Sequence, residues 1–558
     1  MNGHAAPEAE RPEPATASLV RNFLVIAIAL LLLKLLLVSQ REIVPEQHDA
    51  EAYASASLYD LRLIFFDSAG HPPGAPLVMA LARSLGIPYR VFIEVFLAVA
   101  AFLFFRPLVA SMRLGMIAVT LSYGVLLFHP SLILEMDRAM SDSVSFFCWL
   151  MGAGGIIGFV AAPREKLPRW SLGLVIVSFA FAGITRSGEG TIILVEMVAV
   201  ALLSILLFRG LDGWRRRRAV VACLCAVAAN FAAVQALSAA HYLKNGYWGA
   251  SAVESREWWQ LYSTLLSLPV ERNDRYVLVN KATMDMAESF SGDLRNIGTC
   301  IQQVEASFST EELPNYGVPW VITGCLEETQ TQYAKMRAMS ADIHSGALEH
   351  HLHLSAPLLG IIPQPAVQWL ADLPSSIIEV ARDGVQIPGS THVAQDSWKA
   401  ELFDRALLRR TALVASGENP EVFDYKPVIR TLYTVLAAPF WPSVPIFLVV
   451  VAAIVMRFPR TTTKTRLIAF ALSVLVIDVL CRISFYSIVD WILWELPPRY
   501  ILGANVLTVV IVSTLLTVWL PPAIGSALGP KLTRLPALRF WPKMTGIPAV
   551  ARELKPPH

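Results

Sequence analysis

The sequence predicts an all-α polytopic membrane protein: a bundle of about ten transmembrane helices with a mostly helical, water-exposed domain inserted after the seventh. Three observations predict this. Of the 558 residues 55% are hydrophobic and only 16% charged, with a mean hydropathy of +0.51, whereas a soluble domain carries about 25% charged residues. Apolar runs of about twenty residues recur, each long enough to cross a hydrocarbon core of about 30 Å. Basic residues gather in the short connections between these runs. A net charge of +2 gives no case for nucleic acid as a partner.

The chain starts with a polar, acidic tail over 1–18, followed by an apolar run from Leu19 to Val38. That run is longer than a signal-peptide core of about 7–15 residues. It is followed by Gln40, Arg41 and Glu42 rather than by a small-residue cleavage site, so we read it as a retained first helix. The spans read as 19–38, 91–112, 114–130, 140–162, 170–185, 190–208, 218–240, 440–457, 467–486 and 500–520. Arg164, Lys166 and Arg169 lie between the fourth and fifth, and Arg209 with Arg215 to Arg218 between the sixth and seventh. Arg457, Arg460, Lys464 and Arg466 lie between the eighth and ninth; Lys531, Arg534, Arg539 and Lys543 follow the tenth. With ten spans all these clusters share one side, which the positive-inside rule makes the cytoplasm.

The expected organisation is a cytoplasmic tail (1–18), a transmembrane catalytic module (19–240), an extracytoplasmic domain (241–430), three further spans (431–526) and a second cytoplasmic tail (527–558). The catalytic module carries outer loops over 39–90 and 131–139. No solenoid or inverted repeat is visible. The six cysteines form no metal-binding CxxC pair and no dense disulfide framework. Cys148, Cys223, Cys225 and Cys481 fall in apolar runs, where thiols are usually inert. Cys300 and Cys325 lie in the 241–430 domain, where an oxidising compartment would bridge them. The absence of an Asn-x-Ser/Thr acceptor points to a bacterial protein.

Chemistry-bearing residues gather on the outer side. The first outer loop reads His48-Asp49-Ala50-Glu51-Ala52-Tyr53, then His71-Pro72-Pro73-Gly74. Acids on such a loop escape the cost of burial in lipid, and a carboxylate there can serve as general base to a sugar or lipid hydroxyl. Two solvated loop acids would look the same. The second outer turn is Glu135-Met136-Asp137-Arg138, the segment before the sixth span reads Thr185-Arg186-Ser187-Gly188-Glu189-Gly190, and Pro498-Arg499-Tyr500 opens the last span.

In order, spacing and common side, these segments resemble the GT-C integral-membrane glycosyltransferases. The branch in view holds the bacterial aminoarabinose and lipid A galacturonic acid transferases, related to the protein mannosyltransferases. The likeness covers the membrane portion, with Ser187 where the family has Pro, and His71 where it often has Lys. It implies a polyprenyl-phosphate sugar donor used on the outer face of a bacterial inner membrane. Asp49 would then be the general base, Asp137 the second acid and Glu51 a lesser one. Arg186 and Arg499 would bind the donor phosphate, with His71, Arg138 and Arg482 near it; Tyr53, Glu189 and Tyr500 would line the substrate. The residues fit on their own terms. A departing phosphate gains negative charge that fixed cations stabilise, and arginine's fork suits phosphate. Either arginine could instead be an interfacial anchor, and His71 must be protonated to help.

No cofactor is expected and no metal. His344, His350, His351 and His353 resemble a metal cluster, but adjacent helical histidines point about 100° apart and neither Cys nor Asp completes a site. Trp258-Trp259 reads as an interfacial or core pair, and Arg215 to Arg218 as a topology signal. Asp478 and Arg482 are spaced to pair on one helix face, and Glu94 and Glu196 are intramembrane acids without a nameable partner. The partners are then a lipid-linked sugar, an extracytoplasmic acceptor and the bilayer. The competing classes are a secondary transporter, whose ionisable residues would lie near the midplane rather than in outer loops, and a non-catalytic envelope assembly protein.

Overall fold

The computed structural model describes residues 14–38, 43, 49–66, 71–111, 116–186, 188–209, 213–251, 255–270, 279–308, 322, 325–326, 332–352, 405–407 and 463–492. Among these there are helices and turns and no strand. The helices are α1 (Pro14–Leu37), α2 (Asp49–Ser57), α3 (Leu61–Phe66), α4 (Gly74–Ser84), α5 (Tyr89–Ala110), α6 (Met116–Leu127), α7 (Pro130–Glu135) and α8 (Ser141–Ala161). They continue with α9 (Arg169–Gly183), α10 (Glu189–Leu207), α11 (Gly213–Asn245), α12 (Arg256–Ser267), α13 (Lys281–Phe290), α14 (Gly292–Phe308), α15 (Gln332–Glu349) and α16 (Thr463–Ile492). The expected spans at 440–457 and 500–520 lie outside the described residues.

The protein is a multi-pass helical membrane protein. Among the described residues five helices are long and apolar enough to cross a bilayer: Ala17–Leu37 of α1, with α5, α8, α10 and α11; α6 and α9 are shorter apolar helices. Their outward faces show what surrounds them. On α10, Ile193, Met197 and Val200 are buried, while Leu194, Val195, Val198 and Leu202 are exposed. An apolar surface of that extent would be a liability in water but is matched by lipid. α1 repeats the pattern, with Val25, Leu32 and Leu36 exposed and Phe23 buried.

α8 is the central helix, buried almost along its whole length. The reason is its small residues Gly152, Ala153, Gly154, Gly155 and Gly158. A Cβ at Gly154 would meet the Leu103 carbonyl oxygen and the Phe104 Cα at 2.7 Å, and one at Gly155 would meet the Ser171 carbonyl oxygen at 2.8 Å. Helix backbones in membranes approach closely where side chains are small, so α5 and α9 close directly on α8. Large rings fill the remaining space, Trp149 and Phe147 from α8 with Phe104, Phe105 and Phe179 around them.

The far end of α8 is fixed by Arg218 of α11. Its guanidinium donates to the carbonyls of Ala162 at 2.9 Å, Pro163 at 3.1 Å, Arg164 at 3.2 Å and Lys166 at 2.7 Å. A helix C-terminus leaves its last carbonyls without donors; Arg218 supplies Ala162 and, at 3.4 Å, Phe159, and its other bonds pin the loop that follows. The basic segments 164–169 and 215–218 therefore meet at one end of the bundle.

Helices α12 to α15 form a second core of their own, around Leu261, Leu265, Met284, Leu294, Ile301, Met336 and Ile343. Ser255 and Asn280 cap α12 and α13 by accepting backbone N–H bonds from Trp258 and Thr283. Trp258 belongs to this core and stacks on Tyr262 with ring centroids 4.9 Å apart.

Candidate active site

Four segments separate in sequence meet where α8 and α10 begin and α9 ends. The first is α2, headed by Asp49, whose side chain lies outside the described residues. One turn on, Tyr53 is buried and its hydroxyl donates to Ser141 Oγ at 3.2 Å. Its ring lies 4.9 Å from that of His71, which opens the second segment. Positions 49 and 53 share a face of α2, whereas Glu51 is half-buried on another.

The second segment reaches the third through Gly74. Its N–H donates to the Ile184 carbonyl at 2.7 Å. A Cβ at this position would lie 2.7 Å from the Thr185 Cα and 2.8 Å from the Ile184 oxygen, both backbone atoms. Only glycine lets the His71–Gly74 turn press against the Thr185–Arg186 backbone. Gly188 then turns the chain at φ +80°, a left-handed conformation that glycine adopts without a Cβ penalty. Arg186 and Glu189 thereby face the same region from either side of the turn.

Arg186 is nearly buried, at 8% exposure, and its Nη1 lies 2.8 Å from Asp142 Oδ1 in the first turn of α8. Glu189 is fully buried at the start of α10 and receives Arg482 from α16, with Nη2 2.6 Å from Oε1. The same guanidinium donates through Nε to Asp478, at 2.9 and 3.1 Å to its two oxygens. The 478/482 pairing predicted from spacing is present, and Glu189 joins it from another helix. Two turns further along α10, Glu196 accepts the Trp149 indole N–H at 2.9 Å on each oxygen.

The Glu135–Arg138 turn enters a second buried group. Asp137 Oδ1 lies 3.2 Å from Arg90 Nε, Arg90 Nη1 lies 2.5 Å from Glu94 Oε1, and Lys34 Nζ lies 2.5 Å from Glu94 Oε2. Arg90 also donates to the Ile133 carbonyl at 3.3 Å. Two bases and two acids compensate one another, as buried charge requires. Glu94 thus has Lys34 of α1 and Arg90 of α5 as partners, and Asp137 is a tethered acid rather than a solvated one. Arg138 pairs with Glu135 of its own turn at 3.6 Å.

Sequence reasoning did not single out Ser141, Asp142, Trp149, Lys34 or Arg90. The signals were present: a Ser141-Asp142-Ser143 triplet opening an apolar run, and a lone lysine inside the first span, a group that needs a partner in lipid. Arg499, Tyr500 and His353 lie outside the described residues. Cys300 and Cys325 are bonded, with Cα atoms 5.7 Å apart. His344, His350 and His351 are exposed, with the His350 ring resting 5.5 Å from Phe290. Among the described residues no group of three or more His, Cys, Asp or Glu side chains is placed to hold a metal ion.

Chemically, the arrangement offers guanidinium groups set against carboxylates at one end of a membrane bundle. A guanidinium carries five N–H donors in a fixed plane, so it can hold a carboxylate on one edge and a phosphate on another. Charge–charge contacts are strong in such a water-poor setting.

No protein-family description matches the chain, and no curated protein does. Two solved structures are similar to it, both of ArnT from Cupriavidus metallidurans. The apo structure is 12% identical, covering 92% of this chain and 80% of that one, with a TM-score of 0.30. The second, bound to undecaprenyl phosphate, is 14% identical, covering 93% of this chain and 81% of that one, with a TM-score of 0.30.

Proposed function

We propose that this protein is an inverting glycosyltransferase that moves a sugar from a polyprenyl-phosphate donor to an acceptor on the extracytoplasmic face of a bacterial inner membrane. The observation that carries the reading is the meeting of the segments that resemble GT-C motifs. The Tyr53 and His71 rings meet at a tilt, Tyr53 reaches Ser141 beside Asp142, Gly74 packs on Thr185, and Arg186 pairs with Asp142. Residues scattered over more than a hundred positions have no folding reason to assemble tyrosine, histidine, arginine and acids at one bundle end. A site for an anionic lipid phosphate and a sugar does supply one.

In this reading Asp49 takes the proton of the acceptor hydroxyl as that oxygen attacks the anomeric carbon. The bond to the phosphate oxygen breaks on the opposite side, and polyprenyl phosphate leaves with the bonding electrons. Arg186 stabilises the growing phosphate charge, with Arg499 assigned the same task, while Glu189 and Asp478 hold Arg482 in position nearby. The meeting of segments 164–169 and 215–218 at the opposite end of α8, roughly 30 Å away for a helix of this length, supports a cytoplasmic end there. The 241–430 domain then lies outside.

The experiment is incubation of purified protein in lipid with a polyprenyl-phosphate sugar and envelope glycolipid acceptors, followed by mass spectrometry and determination of anomeric configuration. A glycosylated acceptor of inverted configuration is the expected product; retained configuration would exclude the one-step mechanism. A secondary transporter draws support from the buried Lys34–Glu94–Arg90–Asp137 group, because transporters keep ionisable side chains within the membrane. Solute uptake by proteoliposomes with no sugar transfer would favour it.

A further inference from the structure

The basic end of the bundle carries more charge than the chain around it neutralises. Segments 161–170 and 213–218 hold six arginines and one lysine against a single acid, Glu165. Arg218 is taken up by the main-chain carbonyls after α8, and the Arg215 and Arg218 guanidinium carbons lie 4.3 and 4.6 Å from the Trp214 ring centre. Arg164, Lys166, Arg169, Arg216 and Arg217 remain. Among the described residues none of these five pairs with a carboxylate, and all but Arg216 are exposed. Like charges gathered in this way attract an anion to the patch.

The placement of these cations says which anion. Arg169 and Trp170 open α9, and seven residues beyond them Ile176 and Val177 are exposed. Seven residues are almost two whole turns, so each pair shares one stripe, about 10 Å apart along the helix. On α11, exposed Arg217 stands seven residues before Leu224, which stands seven before Phe231, both exposed. These apolar stripes face acyl chains, which puts the cations beneath them at headgroup depth. Leu167 and Trp170, exposed among the bases, suit that boundary. The two helices run side by side in the same direction: Asn230 donates to the Phe179 carbonyl at 3.1 Å, and four residues on a Cβ at Gly183 would meet Val234. Arg169 and Arg217 thus lie about 5 Å apart in height, on helices that pack about 8–10 Å apart. Two arginine side chains span that gap.

We infer that this end of α9 and α11 binds the headgroup of an anionic phospholipid. Arg169 and Arg217 hold its phosphate, Arg164 and Lys166 add charge beside it, and its acyl chains lie along the stripes above. Arginine's planar fork suits a phosphate diester. A dissolved phosphate would use the cations but leave the adjoining apolar stripes unused, whereas a phospholipid uses both. A topology signal requires only positive charge on this side; it does not require arginines in line with lipid-facing stripes on two neighbouring helices. The inference is independent of sugar transfer.

The test places the full chain in phosphatidylcholine nanodiscs and titrates in phosphatidylglycerol, reading thermal unfolding and, by native mass spectrometry, the lipid retained. Wild-type protein should melt higher as the anionic lipid is added and should retain it in preference to phosphatidylcholine. The double variant Arg169→Gln/Arg217→Gln should bind it about thirtyfold more weakly, the effect of removing two surface cations. Its melting in phosphatidylcholine alone should match wild type, which separates lipid binding from folding. Arg256→Gln, which removes an exposed arginine at the start of α12, should bind like wild type. Equal retention of the two lipids by wild-type protein, or undiminished phosphatidylglycerol binding by the double variant, would overturn the inference. Inorganic phosphate that stabilises the protein as well as phosphatidylglycerol does would show an anion site and remove the lipid. Should the double variant not assemble, a photoactivatable phosphatidylglycerol decides on wild-type protein. Crosslinks are expected on peptides covering 164–170 and 213–217, and crosslinks spread evenly over the other membrane helices would refute the site.

Discussion

Gly74→Ala adds one methyl group at the contact between the His71–Gly74 turn and the Thr185–Arg186 backbone. The new Cβ would start 2.7 Å from the Thr185 Cα and 2.8 Å from the Ile184 oxygen, where carbon contacts settle at about 3.5–4.0 Å. The two backbones must part by about 1 Å, and the 2.7 Å Gly74 N–H bond to Ile184 stretches beyond useful length. Losing that bond costs about 1 kcal/mol and relieving the overlap about 1–3 kcal/mol, together about 2–4 kcal/mol. The gain from alanine's higher helix propensity, at most about 1 kcal/mol, is smaller still at the first residue of α4. A shift of about 1 Å at a reacting geometry can cost about 10² in rate. We therefore expect Gly74→Ala protein that assembles in the membrane, melts several degrees lower and transfers sugar about a hundredfold more slowly. The assays are thermal unfolding in detergent and initial rates with a purified polyprenyl-phosphate sugar. Wild-type melting together with wild-type kcat/KM would refute the claim that this backbone contact builds the site.

Two further substitutions probe the ends of the bundle. Arg218→Ala withdraws the donors from the α8 C-terminus, far from the site; the partly exposed group should cost about 1–2 kcal/mol, read as a lower melting temperature with kcat/KM preserved. Arg482→Ala leaves Glu189 and Asp478 buried without their shared cation, a loss of about 3–5 kcal/mol. Arg482→Lys should recover only part of it, because a lysine cannot fork between two carboxylates. Unchanged melting of Arg482→Ala would show that the pair is not the buried junction between α10 and α16.

The helices of the bundle could be read from sequence because each apolar run is a local property of some twenty residues. The runs read at 91–112, 140–162 and 190–208 coincide with α5, α8 and α10. The short helices α2, α3, α4 and α7 could not be read this way, because they lie in the connections between the apolar runs and carry no long periodic signal. Within the site, Tyr53, His71 and Arg186 could be named through the resemblance of their segments to GT-C motifs, but their neighbours could not. Asp142 meets Arg186 at a separation of 44 residues and Lys34 meets Glu94 at a separation of 60; pairs made by helix packing leave no trace in local spacing. Arg218 looked like one topology charge among four, yet its position on α11 makes it a cap for α8.

The most direct test of the central claim is the rate of sugar transfer by folded Asp49→Asn protein. Position 49 shares the face of α2 that Tyr53 turns towards Ser141, and asparagine keeps the shape of aspartate while being unable to take a proton. Loss of a general base lowers rates by about 10²–10⁴. The expected result is donor binding and melting like wild type, with turnover reduced by that factor and a smaller loss in Glu51→Gln. Turnover close to wild type in Asp49→Asn would contradict the account, and a larger loss in Asp137→Asn would move the base to the second outer turn.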